Sequence, residues 1–435
     1  MTTRFEVIKE RLELYELTGQ VDQGTSDAVS LLSLAAQLDN DPAWLVDALL
    51  LQPGVASWTS REECLAGVQL TQQALTLSRQ TVDKLRILQS LWTSMQQQIF
   101  IGDQGWKDTG EEALELANQA GNPSFAARFL LSLGTTYSWS DQPDKGMDYL
   151  TSAIPICEAQ GYRITQVNLL DRMGLKLERV GDYTHLLKDH HEKRLQISLE
   201  IGYKQGEVSA LTSCGQVQGI YLGDYEGGIT WLEAAKYKSI ELSQVVMAEL
   251  CLVKILVALE RYEKARNTLR MVEQVDEKDL FYNLRAGLLL VKAVFYNHVG
   301  TSEFDFQKVL ENTCQAEDLI AENPMISRQF SMAASCQAVH SYLKLSRLVA
   351  DKSAQQNHQA LALQSSRNAL HIFESFGYAQ TIVCTSEEVY FCHYLALAAN
   401  DFQEQARDYL FLAYKELMRK YEMIPWESEF RRTYL

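Results

Sequence analysis

Proline and glycine are scarce in this chain, 7 and 23 among 435 residues, and both fall below average usage. Most sit at turns, which leaves long uninterrupted stretches between them. Basic residues are also short in number. Forty Lys and Arg face 56 Asp and Glu, a formal net charge of −16. That balance argues against nucleic acid, which requires a basic stripe against the phosphates. It disfavours anionic membrane surfaces for the same reason. An acidic surface that keeps the chain in solution accounts for the charge. Long apolar runs are missing too. The stretch Ala286 to Val294 is broken by Lys292, far short of the ~20 residues that a membrane helix needs.

The eight cysteines are scattered, with no CxxC among them, and most lie inside apolar helical runs. There a free Cys behaves as a small buried hydrophobe, which predicts a reducing cytoplasm. The opening Met1-Thr2-Thr3-Arg4 is no signal peptide. Catalytic signatures are absent: no GxSxG, no HExxH, no kinase set, no GxxxxGK[ST] and no GxGxxG after a strand. The Gly-rich Gly223 to Gly228 fits a turn. His185, Asp189, His190, His191 and Glu192 form the one metal-like cluster. His185 and Asp189 share a helix face, but no supporting Cys or His pair stands at standard spacing. They are assigned to a solvated helix face, with no metal and no cofactor expected. Glu62-Glu63 and Glu111-Glu112 near helix starts serve the helix dipole. Cys384 and Cys392 are assigned to core packing, and His393 to a structural role.

What is present is a repeat. Gly181-Asp182-Tyr183 and Gly223-Asp224-Tyr225 recur after roughly 40 residues, with looser copies at Gly102-Asp103, Glu260-Arg261-Tyr262 and Asn400-Asp401-Phe402. A second mark runs out of phase: Gly121, Gly161 and Gly202 each close a long helical run. Two stops per period mean two helices per period. Apolar residues recur at i, i+3, i+4 and i+7 almost throughout, without period-2 strands. The spacing predicts about ten hairpins, over 4–38, 41–80, 82–120, 123–160, 163–201, 204–241, 243–275, 278–322, 325–376 and 379–421. Asn122-Pro123 and Asn323-Pro324 read as helix starts, Thr18-Gly19-Gln20 as the first turn, and 350–358 as a widened polar loop. The array covers 1–423, and 424–435 is a short tail or truncated closing helix.

Several hairpins carry the spacing of small and large residues found in tetratricopeptide repeats. The fourth has Leu133-Gly134, Tyr137, Pro143, Gly146, Leu150 and Ala153. The sixth has Gly223, Tyr225, Gly228, Leu232 and Ala235; the seventh has Leu252, Leu256, Tyr262, Ala265, Leu269 and Val272. The fifth keeps Gly174, Leu177, Gly181 and Tyr183, but places His190 where a large apolar residue is expected. The tenth keeps Phe402, Ala406, Leu410 and Ala413 with one extra residue. The chain thus resembles a tetratricopeptide-like array, an all-α, right-handed solenoid of stacked helical hairpins. Its period exceeds the usual ~34 residues. It looks more like the long-repeat sensor region of bacterial signal-transduction ATPases and maltose-activator-type regulators. Glu10 to Gly19 resembles the opening helix of those arrays, and Glu429 to Leu435 their closing helix. Their array follows a nucleotide-binding module, so the resemblance implies that this chain is a fragment.

In such repeats the first helix of each pair lines a concave groove. Carried onto the matching hairpins, the groove positions fall on Gln89, Trp92, Gln96, Ile99 and Phe100 in the third. In the fourth they are Arg128, Leu131, Thr135, Ser138 and Trp139. They are Asn168, Asp171, Leu175, Glu178 and Arg179 in the fifth, and Ala210, Ser213, Val217, Ile220 and Tyr221 in the sixth. Aromatic, Arg and amide side chains are what binding hot spots use. The resemblance therefore implies a non-enzymatic module. It takes a protein or peptide segment, or a small-molecule inducer, in a groove anchored by Trp92, Arg128, Trp139 and Arg179. The Lys–Asn clamp of chaperone-binding members is missing: its positions hold Trp92/Gln96, Leu131/Thr135 or Asp171/Leu175. The alternative is an architectural scaffold that forms homo-oligomers through its outer face or ends.

Overall fold

The recurring turn has a plain stereochemical basis. Gly181 and Gly223 take φ of +76° and +74°, a left-handed conformation that ends a helix and that glycine adopts without a Cβ penalty. The next residue caps the helix that follows. Asp182 accepts from the His185 N–H at 3.3 Å and Asp224 from the Gly227 N–H at 3.1 Å, which satisfies an orphan donor of the first turn. In the looser copies Glu260 and Asp401 take the left-handed role at φ +56° and +63°. The out-of-phase marks work alike: Gly121, Gly161 and Gly202 are all left-handed.

The computed structural model describes residues 1–18, 24–38, 41–52, 61–139, 142–239, 241–276, 280, 282–322, 329–381 and 383–434. Among them there is no strand. Helices Thr2–Thr18 and Thr25–Ala35 make the first hairpin, Pro42–Leu50 and Arg61–Thr81 the second, Lys84–Ile101 and Trp106–Gln119 the third, and Pro123–Trp139 and Pro143–Gln160 the fourth. The fifth pairs Arg163–Val180 with a helix from Tyr183 to Ile201 that contains a π turn, Leu186–Glu192. The sixth pairs Lys204–Gln216, extended by a second π turn Val217–Tyr221, with Tyr225–Lys238. Then follow Leu242–Ala258 with Tyr262–Glu273, Tyr282–Val299 with Glu303–Glu322, Gln329–Leu348 with Lys352–Ser375, and Ser386–Ala399 with Gln403–Met423. The ten expected pairs are present in order. The expected polar loop at 350–358 is not: Asp351 caps a helix that begins at Lys352, accepting from the Ala354 N–H at 2.8 Å. The Thr18-Gly19-Gln20 turn and the Asn323-Pro324 start lie outside the described residues.

Within each unit most helices pack on their hairpin partner and on the following hairpin, as Pro42–Leu50 does on Arg61–Thr81 and Arg61–Thr81 on Lys84–Ile101. First helices of successive hairpins also touch one another, as in the second with the third and the seventh with the eighth; among the described residues, second helices of successive hairpins show no such extended contact. Within each unit the hairpins therefore draw closest along their first helices, which makes theirs the inner face of that unit.

Packing divides the chain into two compact units, one from Met1–Thr165 and one from Gln166 onward. The first holds the first four hairpins. The second holds the fifth to tenth, and its ends meet. Gln380 donates to the Glu178 carbonyl at 2.7 Å and to the Tyr183 hydroxyl at 2.8 Å. Arg419 donates to the Val180 carbonyl at 2.8 Å, and Thr433 Oγ1 to the Leu222 carbonyl at 2.7 Å. Phe430, in a 3-10 turn of the tail, is buried with Tyr183, Leu186, Val217 and Leu222. The tail thus belongs to the core of the second unit, and no helix among the described residues is long and apolar enough to cross a membrane.

Candidate functional site

In the first unit the inner-face residues are organised around Trp92. Its ring meets Phe129 edge-on at 5.6 Å between centroids, and the exposed Arg128 lays its guanidinium over it at 4.4 Å. Gln96, half-buried, donates to Ser132 Oγ at 2.7 Å. Thr135, partly exposed, donates its Oγ1–H to the Leu131 carbonyl of its own helix at 2.8 Å, which leaves the hydroxyl oxygen as an acceptor. Phe100 is half-buried. The Trp139 side chain lies outside the described part. Trp92 and Arg128 therefore form a cation–π platform open to solvent, while Gln96 is tied down beside it.

In the second unit, Asn168, Asp171, Arg179 and Tyr221 are all partly exposed. Asp171 is clamped by Arg194 at 2.5 Å and Arg172 at 3.4 Å. Desolvation raises its carboxyl, but Arg172, Arg194 and the neighbouring histidines outweigh that and hold it below the usual range. Arg194 is buried, donates to Ser209 Oγ at 3.0 Å, and leaves its Nε without a partner. Tyr221 stacks on Tyr183 at 4.8 Å.

The sixth hairpin corrects part of the expected groove. Ala210 and Val217 are fully buried. Gly174 precedes its turn glycine, Gly181, by seven residues, whereas Gly215 precedes Gly223 by eight. The extra residue is taken up by the π turn Val217–Tyr221, where the Leu222 N–H reaches the Val217 carbonyl at 3.0 Å. Counted from Gly215, the inner positions are Ser209, Thr212 and Gln216, of which Ser209 is exposed and Gln216 half-exposed.

Deeper in the second unit lies a polar group that the sequence pattern does not bring together. Gln337 Nε2 donates to Glu388 Oε1 at 3.4 Å and is itself held by Asn297 Nδ2 on its Oε1 at 3.0 Å. His340 Nε2 lies 3.4 Å from Cys392 Sγ. Glu388 and His340 keep partial exposure, yet desolvation dominates both: it raises the Glu388 carboxyl, against the pull of His340 and Lys254, and lowers the His340 imidazole against Glu388. The signal was available: Gln337, His340 and Lys344 repeat the i, i+3, i+7 spacing of Asn168, Asp171 and Leu175. The ninth hairpin departs too far from the repeat pattern for it to stand out.

The remaining clusters have structural occupations. His185 pairs with Asp182 at 2.8 Å, and His190 Nδ1 meets the Leu170 carbonyl at 2.8 Å, which occupies the place of the expected apolar residue. Glu111 takes hydrogen bonds from Lys145, Tyr149 and Tyr137, the first at 3.0 Å, so its charge is spent on joining the third and fourth hairpins. Cys384 Sγ lies 3.8 Å from Cys336 Sγ, and both thiols are pushed up, which makes them inert. No group of three ligating side chains is placed to hold a metal ion among the described residues.

No protein-family model matches the sequence, and no curated protein matches it. Among solved structures, the chain aligns with one titled "Circular tandem repeat protein with novel repeat topology and enhanced subunit contact surfaces", at 11% identity and a TM-score of 0.19, over 97% of this chain and 98% of that one. So low a score adds nothing to the architecture read from the helices themselves.

Proposed function

We propose that this chain is a non-catalytic binding module that takes its ligand on the inner face of the hairpin array. The observation that carries this reading is the pre-organised set of partly exposed aromatic, Arg and amide side chains on first helices, above all Arg128 over Trp92 at 4.4 Å. Rings and guanidinium groups held in place lose little entropy on binding, which is why they anchor interfaces. The likeness of the repeats to the sensor region of bacterial signal-transduction ATPases supports a place as the sensor or scaffold part of a larger regulator. The ligand would be a protein segment, a peptide or a small inducer. Dialysed protein would be screened by thermal shift against peptides and metabolites, since a ligand of the folded state raises stability. Trp92→Ala, Arg128→Ala and Tyr221→Ala are then compared with the outer pair Phe411→Ala/Tyr414→Ala. Loss of an anchor should weaken binding by about thirtyfold, ~2 kcal/mol. Binding that survives every inner-face change and fails in the outer pair refutes the reading.

One observation favours a second reading, an oligomerising scaffold. The last outer helix exposes Phe411 and Tyr414 at 64% and 57% with Leu410 beside them. The same outer pair decides it: a drop in oligomer size with unchanged ligand response supports the scaffold.

A further inference from the structure

We propose that the chain forms a two-fold dimer in which the outer helix of the tenth hairpin packs antiparallel against its copy in a second chain. The proposal rests on the oligomerising reading above, goes beyond it in naming the partner and the register, and leaves the inner face to its ligand. Second helices elsewhere in the unit have two neighbours. Glu303–Glu322 and Lys352–Ser375 each pack on their hairpin partner and on the first helix of the hairpin that follows. Gln403–Met423 packs extensively on its partner Ser386–Ala399 alone among the described residues. Its contacts across the seam come from its last turns, where Arg419 donates to the Val180 carbonyl and Lys420 lies against Gly181. The first half, from Gln403 to Lys415, keeps one side toward solvent, and Leu410, Phe411 and Tyr414 are exposed on it.

The charges around those residues identify what covers them. Asp408, Phe411 and Lys415 stand at i, i+3 and i+7, one stripe of the helix, and all three are exposed. Neither Asp408 nor Lys415 enters an ion pair among the described residues, whereas Arg419 on the same helix pairs with Glu416 at 2.8 Å. A two-fold axis through the middle of the stripe places Asp408 of each chain opposite Lys415 of the other, so one symmetry operation makes two ion pairs. It also brings the two Phe411 rings together at the centre, with Leu410 and Tyr414 along one edge. A parallel pairing would set Asp408 on Asp408 and Lys415 on Lys415, a like-charge arrangement that costs affinity. An apolar centre between charged ends has the anatomy of an interface. Charge that is complementary to itself under a two-fold axis selects a second copy of this chain as the occupant.

The test follows the mass of the full chain by light scattering and sedimentation over a range of concentrations. The expected species is a dimer, which Phe411→Ala with Tyr414→Ala returns to monomer. Asp408→Lys and Lys415→Asp should each weaken dimerisation about tenfold, because each sets like charges at both ends of the stripe. The double exchange Asp408→Lys/Lys415→Asp restores opposite charges in reversed order and should recover the dimer. All four positions are exposed, so an unchanged melting temperature in dilute solution separates a lost dimer from a lost fold. The proposal is overturned if the unaltered chain stays monomeric into the millimolar range, forms a larger oligomer, or keeps its dimer without Phe411 and Tyr414. A monomeric chain, or a dimer that survives without those rings, removes the oligomerising reading of this helix as well. If the outer pair abolishes the dimer but the charge exchange does not recover it, that reading stands and the two-fold register alone falls.

Discussion

Val82 is the residue at which the repeat departs from its own rule. It closes the second hairpin at the position that Gly121, Gly161 and Gly202 hold in the next three, and all four have left-handed backbone. A β-branched residue there costs about 1–2 kcal/mol, and Val82 is 75% exposed, so its side chain contributes little packing. Val82→Gly should therefore stabilise the chain by about 0.5–1 kcal/mol, after the added freedom of glycine in the unfolded chain is subtracted. A lower melting temperature would mean that the valine makes contacts that its exposure hides. Gly134 gives the opposite case. A Cβ there would stand 2.6 Å from Leu150 Cγ and 3.0 Å from the Gly146 carbonyl, with the backbone of the partner helix directly behind. Gly134→Leu should cost several kcal/mol, since overpacking a tight contact costs ~1–3 kcal/mol before backbone strain is added. An unchanged melting temperature would show that the two helices of the fourth hairpin can separate without loss. In the third hairpin the same contact is made the other way round, with Met95 Sδ 3.0 Å from where a Cβ on Gly110 would stand.

At the scale of helices and hairpins, nearly all of the architecture was legible, because caps and left-handed turns are written in local residues: Gly-Asp-Tyr names the end of one helix, the cap of the next and a core ring. Two features escaped for physical reasons. The π turn in the sixth hairpin adds one residue without any sequence mark, so Ala210 and Val217 read as groove yet are core. Gln337, His340 and Glu388 come from hairpins whose sequences drift from the pattern, and their meeting is a property of packing. His393 was legible as a structural substitution. Its Nδ1 lies 2.9 Å from Ser366 Oγ, its ring meets Tyr409 edge-on, and desolvation, with Arg367 next, lowers its pKa to about 4. The unfolded chain takes up its proton near 6.5. Stability from the neutral ring is thus fully present above pH 6.5 and is lost as pH falls toward 4, at most ~3 kcal/mol. His393→Phe should flatten that part of the curve. A variant whose stability falls as steeply as the parent between pH 6.5 and 4.5 would assign the loss elsewhere.

On the scale of the whole second unit, closure changes what a repeat array does. In an open stack each hairpin contacts only its neighbours, so the ends fray first and unfolding spreads inward. Here the tenth hairpin and the tail bond to the fifth and sixth, through Gln380, Arg419, Thr433 and the buried Phe430. Lys420, only 1% exposed and paired with Glu387, lies against Gly181 at the same seam. An array without free ends has no cheap place to begin unfolding. The fifth and tenth hairpins should therefore exchange their amide hydrogens as slowly as the seventh and eighth. Phe430→Ala with Gln380→Ala should open the seam, since truncating a buried Phe alone costs about 3–5 kcal/mol. The seam affects the ends and leaves the middle contacts intact, so exchange should quicken first in Ser386–Ala399 and Gln403–Met423, with Leu242–Ala258 and Tyr282–Val299 still protected. If the tenth hairpin of the unaltered chain already exchanges far faster than the seventh, the seam does not hold the unit closed in solution. Uniform acceleration in the double variant would mean instead that the unit behaves as one indivisible core, in which the repeat boundaries no longer govern stability.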